Sequence, residues 1–302
     1  MRAVIYRSTG DPDVIEIADV PRPEPGPFEV RIKVEAAALN PTDAGAWGGV
    51  FGPPEEQNGL GWDVAGTVDA VGPGAYFAVG DPVIAIHHGA VGFTKGQADY
   101  VVVPSHAVAP APAGVDAAHA ATLPLNGLTA AQSVDLLGPV PTGTLLVTGA
   151  AGAVGGFAVQ LAKRLGWTVV GSDQAADQTF VTADLGADDF IAAGVDIRDR
   201  YPDGVDALLD TAALGDRVIG AVRDGGTFVT TRVDLVPHAQ RGIRIRVASI
   251  GPDAGRLTLL SDLAASGALT LRVAGTYPLD QARQAHARLV QGGLRGRLVL
   301  IP

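Results

Sequence analysis

With 302 residues, 47% of them hydrophobic and 18% charged, the chain is long enough for about two ordinary domains and apolar enough to bury a sizeable core. A formal net charge of -10 argues against a nucleic-acid partner, because neutralising phosphates needs a basic face. The absence of cysteine excludes disulfides, thiolate zinc sites, iron–sulfur clusters and a cysteine nucleophile.

The opening run Met1-Arg2-Ala3-Val4-Ile5-Tyr6 enters a strand pattern at once, with no signal-peptide core, so the cytoplasm is the expected compartment. Residues 1 to about 120 form a first, β-rich zone. Its short apolar runs alternate with period two, as in Val30-Arg31-Ile32-Lys33-Val34. Pro21, Pro23, Pro25 and Pro27, then Gly72-Pro73-Gly74 and Gly80-Asp81-Pro82, punctuate it with turns.

From about 121 to 272 strands and helices alternate. The pattern predicts a strand over 145–148, a helix over 156–165 stopped by Gly166, and strands over 168–172, 205–210 and 227–230. Such alternation implies βαβ units in a doubly wound parallel sheet. The uncharged stretch 140–162 is long enough to raise the question of a membrane span, but its glycines and threonines and Gln160 favour strand–turn–helix instead. The tail from Gly275 predicts a helix over 279–291, an Arg-Gly turn and a last strand over 297–301.

The sharpest local feature is Thr148-Gly149-Ala150-Ala151-Gly152-Ala153-Val154-Gly155, a G-x-x-G-x-x-G turn that follows a predicted strand and opens a predicted helix. Small residues there permit a tight turn and close approach of a pyrophosphate, and a helix N-terminus supplies N–H groups and a partial positive charge. Gly149, Ala151, Gly152, Ala153 and Val154 are therefore the candidate cradle of a dinucleotide. The second element of the fingerprint is an acid at the end of the next strand, and Asp173 stands there after Ser172. No Lys or Arg occurs between Arg164 and Arg198 to meet a 2′-phosphate, which leans toward NADH.

Further motifs stand in order along the whole chain: Asn40-Pro41-Thr42-Asp43, Gly61-Trp62-Asp63-Val64-Ala65-Gly66, Val79-Gly80-Asp81-Pro82-Val83 and Ala98-Asp99-Tyr100-Val101. After them come Leu123-Pro124-Leu125-Asn126-Gly127-Leu128-Thr129-Ala130, Gln160-Leu161-Ala162-Lys163 and Tyr277-Pro278-Leu279 through His286 to Arg295-Gly296-Arg297. With these motifs the chain resembles the medium-chain dehydrogenases/reductases, in their zinc-free quinone oxidoreductase branch.

The resemblance implies an α/β fold of two parts: a GroES-like catalytic domain from 1–120 and 273–302, and a Rossmann domain from 121–272. It implies a substrate cleft between them and a homodimer along the sheet edge; the net charge and the pattern of 140–162 argue against a nucleic acid or a membrane as partner. Asn40 and Thr129 are then expected near the nicotinamide, Thr211 and Ala212 by the adenosine or pyrophosphate, and Thr230, Thr231, Ser249 and Gly251 at the nicotinamide end. Zinc-dependent relatives carry Cys near Asn40 and His where Trp62 stands, so no zinc is expected, and no flavin either. Family habit favours NADPH where residue chemistry favours NADH; both stay open.

Without a metal, the suitable reaction is hydride delivery to an acceptor that is already electrophilic, a quinone or an α,β-unsaturated carbonyl. Oxidation of an alcohol would need a Lewis acid or a strong proton relay. The Tyr and Arg that many relatives place after the Asn-x-x-Asp element are missing from Ala44-Gly45-Ala46-Trp47-Gly48, which leaves the proton donor open. Asn40, His87 and Tyr100, with Asn58, His88 and Lys95, are the remaining candidates. Trp47, Phe51 and Trp62 are candidate walls for a planar substrate. Alternatives are an enoyl-thioester reductase of a biosynthetic pathway and a cofactor-binding protein with a cyclase or isomerase role.

Overall fold

The computed structural model describes residues 1–89, 92–138 and 143–302. By internal contacts the chain forms two units, residues 1–125, 251–267 and 271–302, and residues 126–250 with 268–270.

The first unit begins with β1 (Arg2–Tyr6), β2 (Ile15–Asp19) and the long β3 (Glu29–Ala38), then α1 (Pro41–Trp47) and β4 (Asn58–Gly59). β5 (Asp63–Val71), β6 (Pro82–Ile86), β7 (Tyr100–Pro104), β8 (Val108–Pro110) and the short α2 (Ala117–Ala120) follow. β2, β1 and β4 make a small antiparallel sheet. β3 organises the larger one: it pairs with β5 along one edge, and with β7 and the last strand of the chain along the other. The alternation read at 30–34 places Val30, Ile32 and Val34 in a core with Val64, Val68, Val83, Val101 and Val103.

α3 (Pro124–Asp135) leads into the second unit. There β9 (Thr144–Thr148), α4 (Ala153–Arg164), β10 (Thr168–Asp173), β11 (Asp189–Ala192), β12 (Val205–Asp210), β13 (Val222–Thr230) and β14 (Arg244–Val247) build one sheet. Its order is β11-β10-β9-β12-β13-β14, and every pairing is parallel. The chain winds outward from β9 in one direction, then returns to β9's other edge, so the strand order reverses between β9 and β12. This is the doubly wound topology expected from the alternating pattern.

The crossovers are leaner than that pattern suggests. α4 is a full helix, but a π-helical turn (Phe180–Asp184) stands between β10 and β11, and short 3-10 turns between β11 and β13. α4 also starts earlier than residue 156. Gly152 serves as its N-cap and the next glycines lie inside its first turns.

The chain then runs through α5 (Ala254–Ala265), β15 (Val273–Pro278), α6 (Ala282–Val290) and β16 (Arg297–Ile301). A boundary at 272 assigns α5 to the parallel sheet, whereas its contacts put it with the first unit, where Ser261 Oγ donates to Pro110 O at 2.8 Å. The stretch 140–162 is β9, turn and most of α4, with 140–142 outside the described residues. Among those described, no helix is long and apolar enough to cross a membrane.

Candidate active site

Residues 149–152 turn the chain from β9 into α4. Gly149 has a φ of +64°, and a Cβ there would lie 2.9 Å from Thr211 Oγ1. A Cβ on Gly155 would sit 2.1 Å from the Gly149 carbonyl oxygen. The packing therefore admits no side chain at either place. Gly152 has no side chain with which to cap α4, so no N-cap side chain covers the first N–H groups of the helix. The turn opens where the strand order reverses, the place at which open α/β sheets bind ligands.

The floor beneath it is a network from β12. Asp210, with no exposed surface, accepts from Thr148 Oγ1 (2.7 Å) and from the backbone N–H groups of Leu214 and Gly215 (2.8 Å each). Thr211 Oγ1 donates to the Thr148 carbonyl at 2.6 Å. Gly149, Thr211 and Ala212 are thus gathered at one spot.

Asp173 ends β10 and is tied to the same turn: its Oδ2 accepts from Ala151 N and its Oδ1 from Gln174 N, both at 2.9 Å. Ser172 lies level with Thr148 in the ladder. Ala153 and Val154 form the first turn of α4. Thr230 closes β13 with its hydroxyl on Arg232 N (3.0 Å) and its carbonyl on Ala248 N (2.8 Å), and Thr231 follows it. Thr129 is buried on α3 and Ser249 is exposed beyond β14, while Gly251 falls in the first unit.

In the first unit, Asn40 sits at the N-cap of α1, fully buried. Its Nδ2 donates to Asp63 Oδ2 and its backbone N to Asp43 Oδ2, both at 2.8 Å. Gly61 N donates to Asp43 Oδ1 (2.8 Å) and Leu125 N to Asp63 Oδ1 (2.6 Å). Both carboxyls are without exposed surface. Burial pushes Asp43 up to about 6 and Asp63 up to about 7, while the N–H donations and the charges of Lys95 and Arg297 pull them back. Arg297, carried in by β16, is itself lowered to about 10 by burial. The effect is a side-chain amide held rigidly by charges brought from four parts of the sequence.

Beside it, Lys95 Nζ donates to the Gly89 carbonyl at 2.6 Å and lies 4.0 Å above the Trp62 ring. Burial lowers this ammonium to about 8, with Asp43 opposing. The other face of the aromatic cluster is His88, edge-on to Trp62 at 5.8 Å.

Other candidates go elsewhere. Trp47 belongs to the core with Val4, Leu39 and Leu60, and its Nε1 donates to His286 Nδ1 at 3.2 Å; His286 in turn meets Gln97 Oε1 at 2.9 Å. Phe51 is exposed. Tyr100 lies under Arg22 and Arg31, 5.2 and 5.9 Å from their guanidinium carbons, opposite Lys33 on β3 rather than by Asn40. Asn58 is a staple between the Tyr6 hydroxyl (3.0 Å) and Gly92 N (3.1 Å). Sequence reasoning missed the anchoring roles of Asp43, Asp63 and Arg297. Only Asp43 left a readable signal, an acid three residues after an N-cap asparagine.

Residues 26–113 match the model of the alcohol dehydrogenase GroES-like domain, and residues 171–300 that of a zinc-binding dehydrogenase. A 2-methylene-furan-3-one reductase of Solanum lycopersicum is 30% identical over 100% of this chain and 79% of its own length. The chain belongs to the medium-chain dehydrogenase/reductase superfamily. Within it the likeness is to the quinone oxidoreductase branch. An NADPH-dependent alkenal/one oxidoreductase of Arabidopsis thaliana chloroplasts is 30% identical over 100% of this chain and 80% of its length. The solved quinone oxidoreductase of Coxiella burnetii superposes with a TM-score of 0.89 at 28% identity, covering 100% of this chain and 99% of its own.

The dehydrogenase model's description raises the question of zinc, and the residues of this medium-chain protein do not fit that ion. Asn40 uses its amide nitrogen as a donor to Asp63, and Trp62 offers no lone pair. Among the described residues, no cluster of three or more His, Asp or Glu could hold a metal.

Proposed function

We propose that this medium-chain protein is a zinc-independent, nicotinamide-dependent reductase of quinones or α,β-unsaturated carbonyls. The carrying observation is the turn at 149–155, where an added Cβ would strike Gly149 O or Thr211 Oγ1. A turn packed that closely and bare of side chains suits the approach of a pyrophosphate to backbone N–H groups at a helix N-terminus. A reduced nicotinamide held there supplies the hydride. Gly149, Ala151, Gly152, Ala153 and Val154 receive the diphosphate, with Thr211 and Ala212 against it. Ser172 and Asp173 take the adenosine ribose. Thr129, Thr230, Thr231, Ser249 and Gly251 belong to the nicotinamide end, where Asn40 is kept from rotating by Asp63. The names of the relatives support a conjugated carbonyl as acceptor.

Asp173 and the lack of a cation in 165–197 favour NADH, the NADPH dependence of the alkenal/one oxidoreductase relative favours NADPH, and the reading takes either donor. The reading assigns the first unit, residues 1–125, 251–267 and 271–302, to the acceptor and the second, 126–250 with 268–270, to the dinucleotide. It includes a homodimer across β14, an edge strand beside which Val233, Val236 and Val247 are exposed; light scattering of the purified protein measures its mass.

Titration with NADH and with NADPH, followed by nicotinamide fluorescence and then by addition of a quinone and an enone, tests the whole. Binding with oxidation on adding acceptor supports the reductase. Failure of both dinucleotides to bind sinks it.

A further inference from the structure

A cavity of about 250 Å³ opens in the first unit, lined by His87, His88, Pro104, His106, Ala107 and Pro252. Three of its six lining residues are imidazoles, and no carboxylate, lysine or arginine lines it among the described residues. Its size falls below the roughly 300–1,000 Å³ of sites that take drug-sized ligands, so it suits a single small ring. Such a wall offers flat faces and neutral hydrogen bonds. It offers nothing to a phosphate.

His87 is the fixed member of the three. Its backbone N–H donates to the Trp62 carbonyl at 2.7 Å, and Gly92 lies between it and Lys95: a Cβ there would be 3.6 Å from His87 Cε1 and 3.4 Å from Lys95 Cγ. Burial, then the charges of Lys95 and His88, hold the imidazole neutral, down at about 4. The Nδ1 atom is shut from solvent and bonds to nothing among the described residues. An N–H stranded in such a place costs more than a lone pair, so the ring proton belongs on Nε2. With Nδ1 sealed away and the ring lining the cavity, Nε2 is the nitrogen left to meet a ligand, and a neutral imidazole protonated there is a hydrogen-bond donor awaiting an acceptor oxygen.

We propose that this histidine-lined cavity is the acceptor site and that His87 Nε2–H binds the carbonyl oxygen of a small, neutral quinone or cyclic enone. The inference rests on the reductase reading and narrows it. His87 orients and polarises the carbonyl. It does not serve as the acid, because a neutral imidazole whose Nδ1 has no donor behind it has no proton to replace the one it would give.

The test has a binding arm and a kinetic arm. In protein carrying 13C- and 15N-labelled histidine, without cofactor, cyclohexanone supplies the carbonyl but cannot be reduced. Its addition shifts the side-chain signals of His87, His88 and His106 in the wild type; in His87→Phe the shifts of His88 and His106 are lost, and in His87→Gln they return. With reduced cofactor, His87→Phe lowers kcat/KM for a benzoquinone or cyclohexenone about tenfold with the cofactor's Kd unchanged, and His87→Gln, which keeps an N–H donor, recovers most of it. Wild-type turnover with an unaffected His87→Phe enzyme overturns the inference and leaves the reductase standing. If the wild type oxidises no cofactor with any acceptor, the reductase reading fails, and the cyclohexanone shifts alone decide the cavity: their absence overturns it, their presence upholds a carbonyl site.

Discussion

In the second unit the turn after β9 is held by backbone geometry, two threonine hydroxyls and two carboxylates, Asp210 and Asp173. In the first unit Asn40 is held by two buried carboxylates with Lys95 and Arg297 in their field. The materials differ, and so do their failures. A site made of close backbone contacts tolerates a changed charge nearby but not an added atom. A site made of buried charges tolerates an added methyl at its edge but not an unpaired group, because the dry surroundings magnify every uncompensated donor and acceptor.

The most damaging way to break the first arrangement is Gly155→Val. With the Gly149 carbonyl 2.1 Å from the new Cβ, the turn must open. We expect loss of measurable dinucleotide binding by fluorescence titration and about 3 kcal/mol of stability by urea unfolding. The matching break in the first unit is Asp63→Ala, which removes the carboxylate that accepts from Asn40 Nδ2 and Leu125 N. It should cost about 3 kcal/mol in urea and weaken dinucleotide binding less than Gly155→Val does, because the turn at 149–155 keeps its geometry.

The contrast sharpens with pH. Asp43 and Asp63 bind their protons more tightly in the fold, near 6 and 7, than at the ordinary carboxyl value of 3.8. Their share of stability is therefore complete below about 4 and is lost as pH rises through 6 and 7. Urea midpoints across that range should fall for the wild type and fall less for Asp63→Asn. A smaller effect is expected for Asp173→Ser, which removes the carboxylate beside the turn and shifts the ratio of NADPH to NADH affinity upward about tenfold. Unchanged preference would mean that Asp173 serves only to tie down Ala151. Smallest is Thr211→Val, which forfeits one hydroxyl bond to the Thr148 carbonyl and about 1 kcal/mol.

How far each region could be read from the sequence follows from the same contrast. The glycine turn is contiguous, so strand, spacing and helix appear together in 145–165 and its local geometry is legible without tertiary contacts. Asp173 was legible because only one helix and one strand, α4 and β10, lead from the turn to it. The charges around Asn40 come from positions 43, 63, 95 and 297, and no local pattern announces that β3 and β16 will bring them together. Trp47 and Tyr100 show the opposite error. Residue type suggested a wall and a donor, whereas packing gave one to the core and the other to two arginines. β11, β14 and β15 were missed because they are short and carry Asp, Arg or Gly instead of an apolar run.

The pairing of β3 with the last strand has a further meaning for a chain emerging from the ribosome. The parallel sheet of the second unit is complete once residue 247 is out, whereas the first unit waits for β16 at residues 297–301. Until then β3 has an open edge past Lys33, with Ala37 and Ala38 unclaimed. Synthesis should therefore pass through a stage in which the later-encoded half is folded and the earlier-encoded half is not, the reverse of the usual N-terminal-first order. An unsatisfied strand edge during that interval is where a chaperone would have the most to protect.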